Sequence, residues 1–281
     1  MRAAYITGQL KEGAFASWFP QKFLSSLFGS DNVVSIPLEK ITGKNRPKDI
    51  KFLCLTGITG EKNPYLEAIS KDDMKRLVHW AWQNGITLWF DCAASYSAAA
   101  KVNYASLTAQ REEWGWDIFN GVAKGPHPEQ IALQEKRPRY DNSGFDNNVM
   151  VDVRLTDRKL LKPSFKAASC HSPLFFPFDH PDANIGLKVI ARFSGITGET
   201  KSEPIALAIK KHGSARFVFS GILPMIRAAH LDGIDHPSVS QLRDELLEAE
   251  PSHRYLWQAI FRSLGPAYKN LPGARALCYG D

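Results

Sequence analysis

Apolar residues in the first third of the chain fall into short continuous runs separated by polar, turn-forming residues. The run AAYIT at 3–7 breaks at Gly8, and IKFLCLTG at 50–57 is a longer apolar run that ends in Thr-Gly. Continuous apolar runs of this length are typical of strands that are buried on both faces of a parallel sheet. With NVVSIPL at 32–38, the pattern predicts three strands.

Helical patterns separate these runs. Residues 15–28 place apolar side chains at helical spacing, with Pro20 near the start. Residues 70–85, SKDDMKRLVHWAWQNG, begin with a serine N-cap, carry acids in the first turn and end in Asn-Gly, all of which indicate a helix. Residues 86–100, ITLWFDCAASYSAAA, then predict a strand, a tight turn and a helix of small residues. This alternation predicts an α/β fold whose mostly parallel sheet carries helices on both faces.

The second half of the chain has a different pattern. Residues 121–148 are rich in Pro, Gly, Asn and charge, and we predict a loop-rich insertion there. Residues 251–265, PSHRYLWQAIFRSLG, predict an amphipathic helix that ends at a glycine. We find no internal repeat and no low-complexity linker, so we expect one domain over residues 1–281. Four more strands are predicted between these two stretches, in VMVDVRLTD, GLKVIARFS, EPIALAIKKHG and ARFVFSGIL.

Composition narrows the classes of partner. The chain has 281 residues, 44% of them hydrophobic, which is enough for a substantial core. Its net charge is +6, but the 35 Lys and Arg are scattered among 29 Asp and Glu, and no nucleic-acid-binding motif accompanies them. No apolar stretch approaches the ~20 residues of a membrane span, and the start shows no apolar segment that ends in a cleavage site. We therefore expect neither a nucleic-acid nor a membrane partner.

The four cysteines lie far apart and form no CxxC pair. Their spacing indicates neither a disulfide framework nor a zinc site, and nothing in the sequence indicates a cofactor. Reduced thiols of this kind fit a cytoplasmic protein.

Cys92 is the candidate for chemistry, because it follows an apolar strand and precedes only small residues and one tyrosine. In such a strand-to-helix turn the thiol stands at the carboxyl edge of the sheet, beside the N–H groups of a helix start. Ligand sites of parallel α/β sheets gather at this edge. A nucleophile would be built there, although a small apolar side chain could equally pack in the same place.

The order of several motifs resembles the N-terminal domain of eukaryotic biotin–protein ligases and its stand-alone bacterial relatives. These motifs are LTGITGEKNPYLEAIS, LVHWAWQNGITLWFDCAASYSAAA, FNGVAKGPHP, KVIARFSG and RFVFSGILPMI. The family belongs to the class I glutamine amidotransferase-like group, so the resemblance implies a flavodoxin-like fold. It also implies that Cys92 is the nucleophile position, and that Ala93 and Gly57 supply backbone N–H groups to an oxyanion.

The chain departs from this family where the base should be. Leu223 and Met225 stand at the positions of the family's His and Glu, and Ala94 replaces the second glycine of the turn. A cysteine nucleophile is activated by an adjacent base, and a general base contributes about 10²- to 10⁴-fold in rate. A leucine cannot accept a proton. We therefore expect no ordinary glutamine hydrolysis by the family's triad.

Two hypotheses of different classes remain. The first is a non-catalytic module that binds a small molecule or a protein at the old active-site cleft, which we expect to be lined by Asp91, Tyr96, Trp116, Leu223 and Met225. The alternative is a thiol-dependent hydrolase or transferase in which Cys92 works with His127, His171 or His180. An adjacent carboxylate such as Asp91 raises a thiol pKa and would oppose the second hypothesis.

Overall fold

The computed structural model describes most of the chain, including sixteen strands and nine α-helices. The described residues are 1–10, 13–15, 18–43, 46–59, 63–107, 109–136, 148–157, 164–180, 182–196, 202–235 and 237–280. The strands are β1 (Arg2–Thr7), β2 (Gln9–Leu10), β3 (Gly13–Phe15), β4 (Val33–Pro37), β5 (Ile50–Leu55), β6 (Ile58–Thr59), β7 (Thr87–Asp91), β8 (Ala99–Ala105), β9 (Gln110–Trp114), β10 (Phe119–Gly125), β11 (Val149–Leu155), β12 (Ser164–Ser169), β13 (Leu174–Pro177), β14 (Leu187–Phe193), β15 (Ile205–His212) and β16 (Ala215–Ser220). The helices are α1 (Trp18–Phe28), α2 (Leu38–Thr42), α3 (Pro64–Ala68), α4 (Lys71–Asn84), α5 (Ala93–Ala98), α6 (Pro128–Lys136), α7 (Pro237–Leu264), α8 (Pro266–Lys269) and α9 (Ala274–Tyr279).

Five parallel strands form the centre of the main sheet, in the spatial order β4-β1-β5-β7-β16. Numbered by their order along the chain, these strands lie 2-1-3-4-5, which is the arrangement of flavodoxin-like folds. The predicted fold class is confirmed by this topology.

Helices cover both faces of the central sheet. Side chains of a strand alternate between its two faces. In β7, Trp89 lies on the face covered by α1 and α7, whereas Leu88 and Phe90 lie on the face covered by α2 and α4. The Trp89 ring stacks on Trp257 of α7, with 6.0 Å between the ring centroids. The inner residues of β5 and β7 are therefore apolar because both faces of these strands are buried.

The predicted ends of α4 are confirmed. The Ser70 side chain accepts a hydrogen bond from the Asp73 N–H, so it serves as the N-cap. Gly85 ends the helix with φ 61°, a left-handed conformation that a glycine adopts without steric cost.

A largely antiparallel extension continues the sheet beyond β16, in the order β15-β13-β10-β8-β9. The chain enters this extension after α5 and returns from it to β16. The extension includes β10, and α6 follows it, so the loop predicted over 121–148 is wrong for residues 121–125 and 128–136. Residues 137–147 of this predicted loop lie outside the described part, and Asn148 has no regular secondary structure. In β10 the buried positions are Phe119, Gly121, Ala123 and Gly125, so small residues that resemble a turn form the buried face of a strand.

The last long helix is twice the length predicted from the sequence. It begins at Pro237 rather than Pro251, and Pro251 lies inside it. Prolines usually stand in the first helical turn, and this preference placed the predicted start at Pro251. The N-terminal half is held by tertiary packing, since Val239, Leu242 and Leu246 are buried at helical spacing.

None of the helices in the described part of the chain combines the length and the apolar composition that a membrane crossing needs. The prediction of one domain over residues 1–281 stays a prediction.

The N-cap of α4 gives a test of this description. We expect Ser70→Ala to lower the free energy of unfolding by about 1 kcal/mol, because the Asp73 N–H loses its acceptor. Urea denaturation measures the change. The matched control is Ser30→Ala at an exposed position, which should change stability by less than about 0.5 kcal/mol. Equal effects of both substitutions would contradict the assigned cap.

Candidate functional site

Cys92 lies in a strained turn between β7 and α5. Its backbone has φ 45° and ψ −112°, a conformation that a residue with a side chain rarely adopts. The Cys92 carbonyl accepts hydrogen bonds from the Ser95 and Tyr96 N–H groups at 3.0 and 3.3 Å, so the helix closes directly behind the turn. The predicted strand, turn and helix are therefore present, and Cys92 stands at the carboxyl edge of the sheet.

The Ser95 hydroxyl fastens this turn to the neighbouring strand. It donates to the Phe90 carbonyl at 2.7 Å and accepts from the Ser220 N–H at 3.1 Å. Ser95 and Ser220 are fully buried, so water does not compete for these bonds. The end of β7, the first turn of α5 and the end of β16 are thereby held in one arrangement.

The Cys92 thiol donates a hydrogen bond to the Cys170 carbonyl at 3.2 Å. The Ser172 hydroxyl donates to the same oxygen, also at 3.2 Å. Burial raises the thiol pKa of Cys92 well above its ordinary value, and the nearby Cys170 thiol and Asp91 carboxyl raise it further. The Ala93 N–H and the Ser172 side chain counteract this only in part. At neutral pH the sulfur is therefore a protonated hydrogen-bond donor and a weak nucleophile.

His171 lies in the short loop that faces the thiol, between Cys170 and Ser172. Its backbone has φ 50°, a second strained conformation at this site. The imidazole Nδ1 lies 3.0 Å from the Tyr104 hydroxyl, and the His171 N–H donates to the Gln130 side chain at 3.4 Å. Burial lowers the pKa of His171 to about 4, so the ring is neutral at pH 7.

The other two candidate histidines lie in other surroundings. His127 is buried, its Nδ1 accepts from the Glu129 N–H at 3.1 Å, and its ring packs on Phe193. Burial lowers the pKa of His127 to about 4. His180 is exposed and follows β13, the strand that begins beside the Cys170 loop and leads away from it. Within the described residues, the imidazoles of His127, His171 and His180 make no hydrogen bond to the Cys92 thiol.

Leu223 and Met225 belong to the hydrophobic core. Their side chains are 3% and 0% exposed, and they lie in the apolar cluster against which Cys92 packs. The Leu223 N–H donates to the Ala168 carbonyl at 2.7 Å, which ties the segment to β12. Leu223 and Met225 are therefore core side chains of the apolar cluster beside Cys92; their equivalence to the family's base and acid stays a prediction.

The Tyr96 hydroxyl and the Gln130 Nε2 are among the buried polar atoms that lack hydrogen bonds within the described residues. Tyr96 is 4% exposed and Gln130 is fully buried. The backbone of Gly125 lies against the Tyr96 hydroxyl, and a Cβ at Gly125 would approach that oxygen to 2.0 Å. Buried polar atoms normally find a partner, so these two favour a bound polar molecule or water.

Asp91 is the other unusual group at the turn. It is 1% exposed, and neither carboxylate oxygen makes a hydrogen bond within the described residues. Burial raises the pKa of Asp91 to about 8. The nearby Cys92 main-chain N–H and Trp89 indole N–H offset this increase only in part. The group is therefore a neutral acid at pH 7 rather than the carboxylate considered from the sequence.

Trp116 is buried and anchored by its ring nitrogen. It is 7% exposed, its indole N–H donates to the Ile69 carbonyl at 3.1 Å, and its ring packs on Tyr65 and Phe90. That Trp116 lines the cleft stays a prediction.

Gly57 and Ala93 lie at the same edge of the sheet. Leu55 of β5 pairs with Phe90 of β7, so Gly57 and Cys92 are at the same level two residues further on. Gly57 is buried. The role of the two backbone N–H groups towards an oxyanion stays a prediction.

Several contributors to the site carry no signal in the sequence. The groups closest to the thiol include a main-chain carbonyl, from Cys170, and the hydroxyl of Ser172, which carried no motif. Tyr104 and Gln130 lie on different elements, and both contact His171. No group of three His, Cys, Asp or Glu side chains in the described part of the chain could hold a metal ion.

The raised thiol pKa predicts slow alkylation of Cys92. We expect the rate of reaction with iodoacetamide to stay low at pH 7 and to rise only above the free-thiol value of ~8.5. Peptide mass spectrometry across a pH series measures this rate, with glutathione as the free-thiol control. In Asp91→Asn, which lacks the nearby acid, the inflection should move to lower pH. An inflection below that of glutathione in the unmodified chain would contradict the assignment.

The buried acid predicts a pH-dependent stability. Because the pKa of Asp91 is raised to about 8, the folded state keeps a proton that the unfolded state has lost above about pH 4. The neutral buried histidines act in the opposite direction, but only below about pH 6.5. Stability should therefore fall by about 2 kcal/mol between pH 6.5 and 8.

Asp91→Asn isolates this effect, because an amide of the same shape does not titrate. We expect the variant to lose most of the fall in stability, measured by urea unfolding at pH 6.5, 7.2 and 8. Equal slopes in both proteins would show that Asp91 does not titrate in this range.

Comparison with known proteins gives only distant structural similarity. The chain matches no protein-family model and no curated protein. A glutamine amidotransferase from Thermotoga maritima is 12% identical, with a TM-score of 0.44 over 94% of this chain and 96% of that one. The glutaminase domain of Trypanosoma brucei CTPS is 12% identical, with a TM-score of 0.43 over 88% and 94%. A ThuA-like protein from Bacteroides uniformis is 13% identical, with a TM-score of 0.40 over 91% and 90%. The fold assignment rests on the strand order of the chain itself, and these similarities say nothing about activity.

Proposed function

We propose that this chain is an amidotransferase-like protein that binds a small polar molecule beside Cys92 and does not hydrolyse glutamine. One observation carries the proposal: the Cys92 thiol donates to a main-chain carbonyl, while Leu223 and Met225 fill the positions of the family's base and acid with core side chains. Proton transfer from the thiol needs a base within hydrogen-bond reach. The surroundings of Cys92 instead favour the neutral thiol.

The orphaned polar atoms support binding. The Tyr96 hydroxyl can donate or accept, and Gln130 Nε2 donates, so both fit a polar, hydrogen-bonding ligand. Strained backbone at Cys92 and His171 supports a functional role as well, because such strain persists mainly where the surrounding structure has a reason to hold it. Unpartnered buried polar atoms and strained backbone both lower stability, so packing alone does not explain either feature.

The finer assignment is part of the same proposal. Resemblance in the turn at Cys92 and in the flanking loops favours kinship with the N-terminal domain of biotin–protein ligases. In that case the chain would act as a binding module. Free thiols at all four cysteines agree with a reducing compartment such as the cytoplasm.

A second candidate function rests on the pairing of His171 with Tyr104. The imidazole is neutral and lies in the loop whose Cys170 carbonyl already contacts the thiol. A change of side-chain rotamer at His171 would supply Cys92 with a base, and the chain would then be a thiol-dependent hydrolase or transferase. Tyr104 would hold the ring in its resting position through the 3.0 Å contact.

Two substrates distinguish these functions. We expect glutamine to release no more ammonia with the wild-type chain than with Cys92→Ala, because no base activates the thiol. A release that depends on Cys92 would overturn the leading proposal. With p-nitrophenyl acetate, a burst that requires both Cys92 and His171 would establish the second candidate, and Cys278→Ala serves as the thiol control.

Binding is measured on the same proteins by saturation-transfer NMR with acetamide, glycerol and glutamine as probes. We expect at least one probe to bind and the signal to weaken in Tyr96→Phe and Gln130→Leu, which each remove one orphaned polar atom. Tyr279→Phe, at a position 68% exposed, is the matched control and should leave the signal unchanged. Signals that are absent, or equal in all four proteins, would contradict a polar ligand site here.

A further inference from the structure

Strand β9 forms one end of the main sheet. In the described part of the chain it pairs only with β8. The Gly115 N–H donates to the Ala100 carbonyl at 3.0 Å, so the main-chain groups of Gly115, Glu113 and Arg111 point towards β8. By alternation, those of Gln110, Glu112 and Trp114 point outwards. The outer edge therefore presents a row of main-chain donors and acceptors.

This edge carries charges of both signs but no proline. Edge strands are commonly blunted by charged side chains, above all lysine, and by proline or bulges. The sequence QREEW of β9 contains one arginine and two glutamates but no lysine and no proline, so its charges can pair with one another across a strand interface. At the opposite end of the sheet, by contrast, β4 ends in Pro37. Trp114 is 71% exposed, and Leu107, just before β9, is 53% exposed. Aromatic side chains are enriched at protein interfaces, so an exposed tryptophan on an open edge favours a partner.

We propose that β9 pairs antiparallel with β9 of a second copy of this chain, about a two-fold axis at Glu112. The strand is self-complementary in this register, because Arg111 of each copy lies opposite Glu113 of the other. About a two-fold axis each contact occurs twice, as in most homodimers. The charges of β9 therefore favour a second copy of this chain as the partner at this edge.

The register also satisfies the backbone. Glu112 would pair with Glu112 of the second copy, and Gln110 with Trp114, through the outward main-chain groups. Arg111 and Glu113 would then form the non-hydrogen-bonded pairs, in which cross-strand side chains lie closest. The side chains of both are half-buried in the single chain, so their ion pairs would be partly shielded from solvent.

One like-charged pair remains, between the two copies of Glu112. Each of these carboxylates has its own counter-charge, because the Lys101 ammonium lies 3.3 Å from Glu112 in the same chain. The dimer therefore brings two lysines and two glutamates together on this face of the sheet. Trp114 lies on the same face and can cover the stem of Gln110 from the second copy.

Charge reversal tests the register on the full chain. Light scattering after size exclusion should give twice the 31.4 kDa chain mass for the wild type. Arg111→Glu and Glu113→Arg should each be monomeric. In either variant, residues 111 and 113 that face each other across the axis carry charges of the same sign. A mixture of these two variants should recover the dimer, since both pairs between residues 111 and 113 across the axis are then opposite in charge again. No alternative surface predicts rescue by mixing.

A backbone variant tests the strand pairing separately. Glu112→Pro removes an outward N–H and leaves the ladder with β8 intact, so we expect a monomer with an unchanged far-ultraviolet circular dichroism spectrum. The control Lys71→Pro, at the exposed first position of α4, where proline is well tolerated, should stay dimeric. A wild-type chain that is monomeric at every concentration would overturn the proposal. So would a dimer that survives Glu112→Pro, or single charge variants whose mixture stays monomeric while both remain folded.

Discussion

The Ser95 hydroxyl holds together the part of the fold on which the site depends. It bridges the Phe90 carbonyl and the Ser220 N–H, and so it joins the ends of two parallel strands through the first turn of a short helix. The unfavourable backbone conformation of Cys92 is stable only inside this frame, because six helical residues alone could not impose it. Placement of the thiol is thus a property of the sheet rather than of the turn.

Desolvation decides the chemistry within this frame. Helix-start N–H groups can lower a thiol pKa, and Ala93 contributes in that direction, but burial outweighs it at Cys92. The same burial keeps Asp91 and His171 neutral near pH 7. A site composed of neutral donors and acceptors is better suited to hold a polar molecule than to move a proton, and this is the physical reason for preferring binding over hydrolysis.

The central sheet could be predicted from the sequence because buried parallel strands leave continuous apolar runs, and because helix caps such as Ser70 and Gly85 act locally. Cys92 was found for the same reason, since a strand followed by small residues is a local signal. The partner of its thiol was not found, because a main-chain carbonyl at Cys170 has no side-chain signature. Tertiary packing also overrode local preference at Pro251, which lies inside a helix, and along β10, whose buried face is largely glycine and alanine.

The two halves of the candidate site come from different parts of the sheet. The parallel centre supplies Cys92. The segment between β12 and β13 supplies Cys170, 78 residues later in the chain. Contacts between residues so far apart form late, because closing a long loop costs entropy before it is rewarded. During synthesis Cys92 and its turn are therefore made well before Cys170, whose carbonyl accepts the hydrogen bond of the Cys92 thiol. Until the Cys170 segment docks, the thiol lacks the carbonyl that accepts its hydrogen bond in the folded chain.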